Sequence, residues 1–391
     1  MVAKKVFVGL FGILLLLSIV PTTTATKESD LTLVILVSDN EADLTLAQKL
    51  GESMNLTIFI TSWGVYDPNI TAEIMSAAPD KVLIIGGPAA VPKDYEEDLS
   101  DMGIEWARIW GNDRYETNIK VLEYVLENYP EILDNVKIII AHGRDIGALK
   151  KIKVEKAFPV YIDTNKTDNQ TQILAMIKVT HIIIIKTPFS ENATEMMEKR
   201  IRKEMKVNVT KEEANITAGM AWETIEIAEN KILLAKELLE NESVKVPAAE
   251  RLILLAEKEL ENAKEAYDEG KYGKAYGQAI AAKAHAEAVI RMAGEKREIM
   301  LRTNQTLRIE IRIEKLERIM TKFEKIGLNM TEERTLLEEL KDAFKEGDYE
   351  RAEELINQLR DTIKEKFHTE KLIIREKWKE KGRNKHRPNK G

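Results

Sequence analysis

Cysteine is absent from all 391 residues, which excludes disulfides, thiolate metal sites and cysteine nucleophiles. The five histidines, His142, His181, His285, His368 and His386, are scattered without metal-ligand spacing, so no metal or cofactor is expected. Dinucleotide (G-x-G-x-x-G), phosphate-loop (G-x-x-x-x-G-K-[ST]) and nucleophile-elbow (G-x-S-x-G) motifs are missing, and no enzymatic activity is expected. A surplus of basic charge is missing too: the net charge is -7, which argues against nucleic acid as a partner. Glutamine is scarce while Lys, Glu and Ile abound, the composition of heat-adapted, archaeal-type proteins rich in ion pairs.

No apolar run reaches the ~20 residues of a membrane-spanning helix. The longest, Val6 to Val20, follows Lys4 and Lys5 and precedes Pro21-Thr-Thr-Thr-Ala25. That order reads as a secretory signal over residues 1–25, with a membrane tether as the alternative if it stays uncleaved. Export agrees with ten Asn-x-Ser/Thr sequons, at Asn55, Asn69, Asn165, Asn169, Asn192, Asn208, Asn215, Asn241, Asn304 and Asn329. Chance at this Ser and Thr content gives roughly two, so an extracellular glycoprotein is expected.

Residues 31 to about 210 alternate apolar strands with helical patterns. Strands are expected at 31–37, 56–61, 81–85, 136–141, 158–162 and 181–186. Continuous apolar strands separated by helices imply parallel sheets covered on both faces, here as two Rossmann-like α/β units, 31–105 and 106–210. Ligands of such sheets bind beyond the carboxyl ends of the strands, where Asp39, Gly86, Gly87 and Gly143 fall. Asp43 reads as a helix cap, Asp113 and Arg114 as an ion pair or cap opening the next helix, and Tyr115 as a packed residue with a bonded hydroxyl.

The segment Lys81-Val-Leu-Ile-Ile-Gly-Gly-Pro-Ala-Ala-Val-Pro92 resembles the strand-Gly-Gly-x-x-Ala-Val stretch of the type 2 cell-wall-binding repeat family. Arg108-Ile-Trp-Gly-Asn-Asp-Arg-Tyr-Glu-Thr117 is similar to its Arg-x-x-Gly-x-Asp-Arg-Tyr-x-Thr stretch, and Val37-Ser-Asp-Asn-Glu-Ala-Asp43 to its strand and Ala-Asp helix start. The resemblance implies Rossmann-like modules that attach surface proteins to envelope polymers, with Asp39, Gly86, Gly87, Asp113, Arg114 and Tyr115 as candidate binding residues. The second unit departs from the pattern, with Lys186-Thr-Pro-Phe-Ser190 where Gly-Gly belongs. Residues 31–105 hold three basic and thirteen acidic side chains, so a neutral or cationic glycan suits this unit better than a polyanion.

After Asn215 the apolar spacing turns helical, in steps of three and four, which predicts a bundle of two three-helix units over 217–380. Ala266-Tyr-Asp-Glu-Gly-Lys-Tyr-Gly-Lys-Ala275 repeats as Ala343-Phe-Lys-Glu-Gly-Asp-Tyr-Glu-Arg-Ala352, each a helix corner with a left-handed Gly. The stretch from Arg291 to Thr306 reads as a join between two of the helices. A basic tail, 381–391, closes the chain and is the expected seat of any polyanion binding. The sum is a non-enzymatic cell-surface protein with an α/β glycan-binding module on a helical spacer. Its partner would be an envelope glycan or a surface-layer protein. The α/β part is expected to fold alone over 27–215. The alternative is a solute-binding protein or enzyme using the strand-end crevice, which a cluster of His142, Asp39 and Asp113 would favour.

Overall fold

The structure is a computed structural model that describes residues 32–385 apart from 135, 144, 147–148, 150–156, 163–166, 178, 188–189, 214 and 241–246. The expected signal, the last six tail residues and the sequons Asn165 and Asn241 lie outside the described residues.

The first sheet has β1 (Leu33–Ser38), β2 (Thr57–Thr61), β3 (Lys81–Ile85) and β4 (Glu105–Ile109), interleaved with α1 (Glu41–Met54), α2 (Pro68–Ala77) and α3 (Asp94–Asp101) and followed by α4 (Arg114–Asn128). The second has β5 (Lys137–His142), β6 (Ala157–Ile162), β7 (His181–Lys186) and β8 (Asn208–Glu213), with α5 (Thr167–Met176) and α6 (Glu191–Glu204). Both sheets are wholly parallel and share one strand order, β2-β1-β3-β4 and β6-β5-β7-β8. The second unit therefore keeps the topology although its sequence has lost the Gly-Gly turn. The two strands that were not expected, β4 and β8, are edge strands. The other two edge strands, β2 and β6, keep apolar runs, but Glu105 and Arg108 interrupt β4, and Lys211, Glu212 and Glu213 interrupt β8. In β8 five of six residues are exposed.

Alternation along β1 divides the interior. Leu33, Ile35 and Val37 face a core shared with α1, α4 and the second sheet. Val34 and Leu36 face a core that takes in α2 and α3. Six further helices follow: α7 (Ala218–Glu240), α8 (Pro247–Asp268), α9 (Tyr272–Thr303), α10 (Gln305–Lys325), α11 (Thr331–Glu346) and α12 (Tyr349–Lys385). Helices α7–α9 bury alanines and Ile232, Ile253 and Ile290 against one another. Both repeated corners turn through left-handed glycines, Gly270 at φ 75° and Gly347 at φ 79°. The expected join within 291–306 is a break: Asn304 is extended, and its side-chain oxygen accepts from Leu307 N at 3.1 Å to cap α10. Helix α12 continues through Lys385, so the first residues of the expected tail are helical.

Helices α10–α12 are not a separate spacer. Ile309, Leu316, Met320, Phe323, Leu359, Ile363 and Phe367 belong to the same core as Val34, Leu36, Ile74 and Met75. Among the described residues no helix is long and apolar enough to cross a membrane.

Of the sequon asparagines with described side chains, Asn55, Asn192, Asn208, Asn215, Asn304 and Asn329 are exposed. Asn69 differs: its amide donates to Asp67 Oδ1 at 2.9 Å and its oxygen accepts from Arg318 at 2.7 Å. The side chain of Asn169, in α5, is not described.

Candidate functional site

Each strand of the first sheet ends at a shared cavity of about 660 Å³. Asn40 follows β1, Trp63 and Gly64 follow β2, Gly87 to Ala90 and Pro92 follow β3, and Trp110 to Asp113 follow β4; Ala284, Glu287 and Arg291 of α9 form the opposite wall. A crevice beyond the carboxyl ends of parallel strands is the usual ligand position in an open α/β sheet. Its size is that of a small-molecule pocket.

Local backbone chemistry explains the loops. Gly86 sits at φ 119°, a conformation that side chains rarely adopt, and donates its N–H to Ile109 O at 3.0 Å. At Gly87 a Cβ would lie 2.9 Å from the Trp110 ring, so the missing side chain lets the indole rest on the backbone. Arg108 straps this loop: its guanidinium donates to Gly86 O at 2.8 Å and Val91 O at 2.9 Å and pairs with Glu96. Asp113 accepts from Tyr115 N at 3.0 Å and Glu116 N at 2.9 Å, capping α4. Glu116 reaches back past the cap and accepts from Asn112 N at 2.9 Å, which ties the loop to the start of the helix.

The candidate residues part company here. Gly87, Asp113 and Arg114 line the cavity. Asp39 is engaged elsewhere, accepting from Trp63 N at 2.9 Å and pairing with Lys231 of α7 at 2.6 Å. Tyr115 is buried with its ring edge-on to His142, centroids 6.0 Å apart. Of His142, Asp39 and Asp113, Asp113 alone lines the cavity. Asp43 does not cap α1; Asn40 does, accepting from Ala42 N at 3.1 Å, and Asp43 lines the cavity from the first turn.

Sequence reasoning passed over Trp63, Trp110, Glu287 and Arg291. Trp110 directly follows β4, a strand-end position that was hidden with β4 itself, and Trp63 lies two residues past β2, where the strand pattern already marked a strand end. Nothing in the sequence marks Glu287 or Arg291 among so many helical charges.

Two carboxylates are perturbed. Burial pushes Asp43 up from 3.8 to about 6, against the pull of Arg114 and with a further push from Glu287. Burial likewise raises Glu287, opposed by Lys283, Arg114 and Lys231. Arg114 also donates to Gly143 O at 2.8 Å, which anchors its position. Among the described residues no group of three or more acidic or histidine side chains is placed to hold a metal ion.

Asp43→Asn should stabilise the protein at neutral pH. A folded-state pKa above the unfolded 3.8 means that the unfolded chain releases the proton first, so stability falls as pH rises from about 4 to 6. The penalty above pH 6 is at most about 3 kcal/mol, from ~1.4 kcal/mol per pKa unit. Denaturant unfolding near pH 7 and near pH 4 should show the gain only at the higher value. A variant no more stable than the parent at neutral pH would mean that Asp43 carries its charge without cost.

No family model matches the chain. The Methanocaldococcus jannaschii protein named uncharacterized protein MJ0755 is 30% identical over 233 residues, 58% of this chain and 68% of its own length. Uncharacterized protein PH0614 from Pyrococcus horikoshii is 27% identical over 197 residues, 49% of this chain and 58% of its own. Uncharacterized protein PYRAB14350 from Pyrococcus abyssi is 26% identical over 173 residues, 43% of this chain and 50% of its own. Among solved structures, Cwp6 from Clostridium difficile aligns at a TM-score of 0.39 and 20% identity, over 46% of this chain and 29% of its own.

Proposed function

We propose that this chain, which belongs to the same family as the Methanocaldococcus jannaschii protein MJ0755, is a non-enzymatic, exported envelope protein that binds a saccharide at the strand ends of its first sheet. The observation that carries the reading is the makeup of the cavity. Trp110, 43% exposed, rests on Gly87, and Trp63 stands in the same wall. Indole faces cover the apolar faces of sugar rings, while Asn40, Asp43, Arg114 and Glu287 supply hydrogen-bonding groups for hydroxyls. The signal-like amino terminus and the excess of sequons support an extracellular setting, and the cell-wall-binding resemblance supports an envelope glycan as partner. The helices contribute a wall of the site through α9 and are more than a spacer. One observation favours the alternative, an enzyme of the same crevice: a carboxylate near pH 6 suits a general acid or base.

Titrating the full-length protein against neutral, amino and uronic oligosaccharides tests the reading. Binding of neutral or amino members is expected, with at least a tenfold loss in Trp110→Ala and an unchanged melting temperature. Absence of binding to every saccharide would overturn it, and steady release of reducing ends would move the protein to the enzyme class.

A further inference from the structure

The wall around α1 and α9 holds four acids, Asp39, Glu41, Asp43 and Glu287, and four cations, Lys231, Lys283, Arg114 and Arg291. Lys231 pairs with Asp39 at 2.6 Å and Lys283 pairs with Glu41 at 2.6 Å. Both lysines are almost fully buried. Arg114 stands beside Asp43 and Glu287 and acts on both through its charge, while its guanidinium donates to Gly143 O. Glu287 is the odd one out. It is 5% exposed, lines the cavity, and accepts no hydrogen bond from the described residues. Helix α9 brings Lys283, Glu287 and Arg291 onto one stripe at steps of four, and the last is exposed and makes no ion pair among the described residues.

A carboxylate buried without a hydrogen bond is destabilising even with cations nearby, and a ligand that donates to it relieves the cost. Here Glu287 faces a cavity walled by two indoles and lined by four acids, Asp43, Asp94, Asp113 and Glu287, against three cations, Lys93, Arg114 and Arg291, and indole faces also attract ammonium groups. An anionic sugar placed there meets Glu287 and Asp43 of its own sign. We infer that the cavity takes an amino sugar, its protonated amine seated against Glu287 and Asp43 and its ring against Trp110. The inference rests on the saccharide reading above and narrows it to one ligand class.

Calorimetric titration of the full-length protein near neutral pH with glucosamine, N-acetylglucosamine and glucose oligomers tests it. The amino form is expected to bind at least tenfold tighter than the other two. Glu287→Gln, which keeps the shape and removes the charge, should erase that preference and raise the melting temperature. Equal or tighter binding of the acetylated or neutral oligomers overturns the amine assignment and leaves the saccharide reading standing. Silence from all three overturns both. A lowered melting temperature in Glu287→Gln would show that its charge completes the fold, and would overturn the assignment as well.

Discussion

Lys315→Met should cost about 3–5 kcal/mol of folding stability, the range for breaking a buried ion pair from one side. Lys315 lies in α10 at 7% exposure, and its Nζ stands 2.5 Å from Asp98 Oδ1 of α3. Asp98 is 4% exposed and also accepts from the Tyr66 hydroxyl at 2.7 Å and Thr71 Oγ1 at 2.6 Å. Burial and the neighbouring Asp98 charge together hold the Tyr66 hydroxyl well above the usual phenol range, so it stays a donor. The methionine retains most of the packing volume and removes the only cation bonded to Asp98 among the described residues. The carboxylate is then left charged in a closed site or must take up a proton. Adding Asp98→Asn should recover much of the loss, because the double variant has no stranded charge. Guanidinium unfolding of the four proteins measures this. A single-variant loss below about 1 kcal/mol would place the pair with ordinary surface bridges.

Deleting residues 305–391 should abolish cooperative folding of the α/β part. Ile309, Ile313, Leu316, Ile319, Met320 and Phe323 of α10 share a core with Val34, Leu36, Ile74 and Met75. Burying one such side chain is worth about 1.5–3 kcal/mol. Six together reach on the order of 10 kcal/mol, comparable to the ~5–15 kcal/mol net stability of a whole domain. The deletion also removes Arg375, which donates to Ala78 O at 2.7 Å and pairs with Asp80 at 3.0 Å, and with it the cover over the end of α2. The same reasoning applies to 27–215 expressed alone, which the strand pattern by itself suggests is self-sufficient. Thermal melts by circular dichroism decide the matter. A sharp transition near that of the full chain would show that the two sheets need no helical cover.

Short-range features were legible from residues alone. Apolar runs such as Val82 to Ile85 and Ile182 to Ile185 are buried strands because both sheet faces are covered. The same local logic reaches Asp113, whose carboxylate has to satisfy free N–H groups at a helix start, and Gly86, whose φ of 119° suits glycine. The strands β4 and β8 stayed hidden because charged residues, Glu105 and Arg108 in one and Lys211 and Glu212 in the other, break their apolar runs and fit as well in a loop.

The membership of the site was settled only by tertiary structure. Asp39 was legible as a strand-end acid, yet its partner Lys231 lies 192 residues away, and Glu41 and Lys283 are 242 apart. With charged residues at 32% of the chain, no spacing singles out the lysines that become buried or the glutamate, Glu287, that comes to face the cavity. Backbone geometry depends on neighbours within a few residues, so the sequence carries it openly. Pairing of charges depends on which helix comes to lie across which strand end, and that is decided by packing of the whole chain.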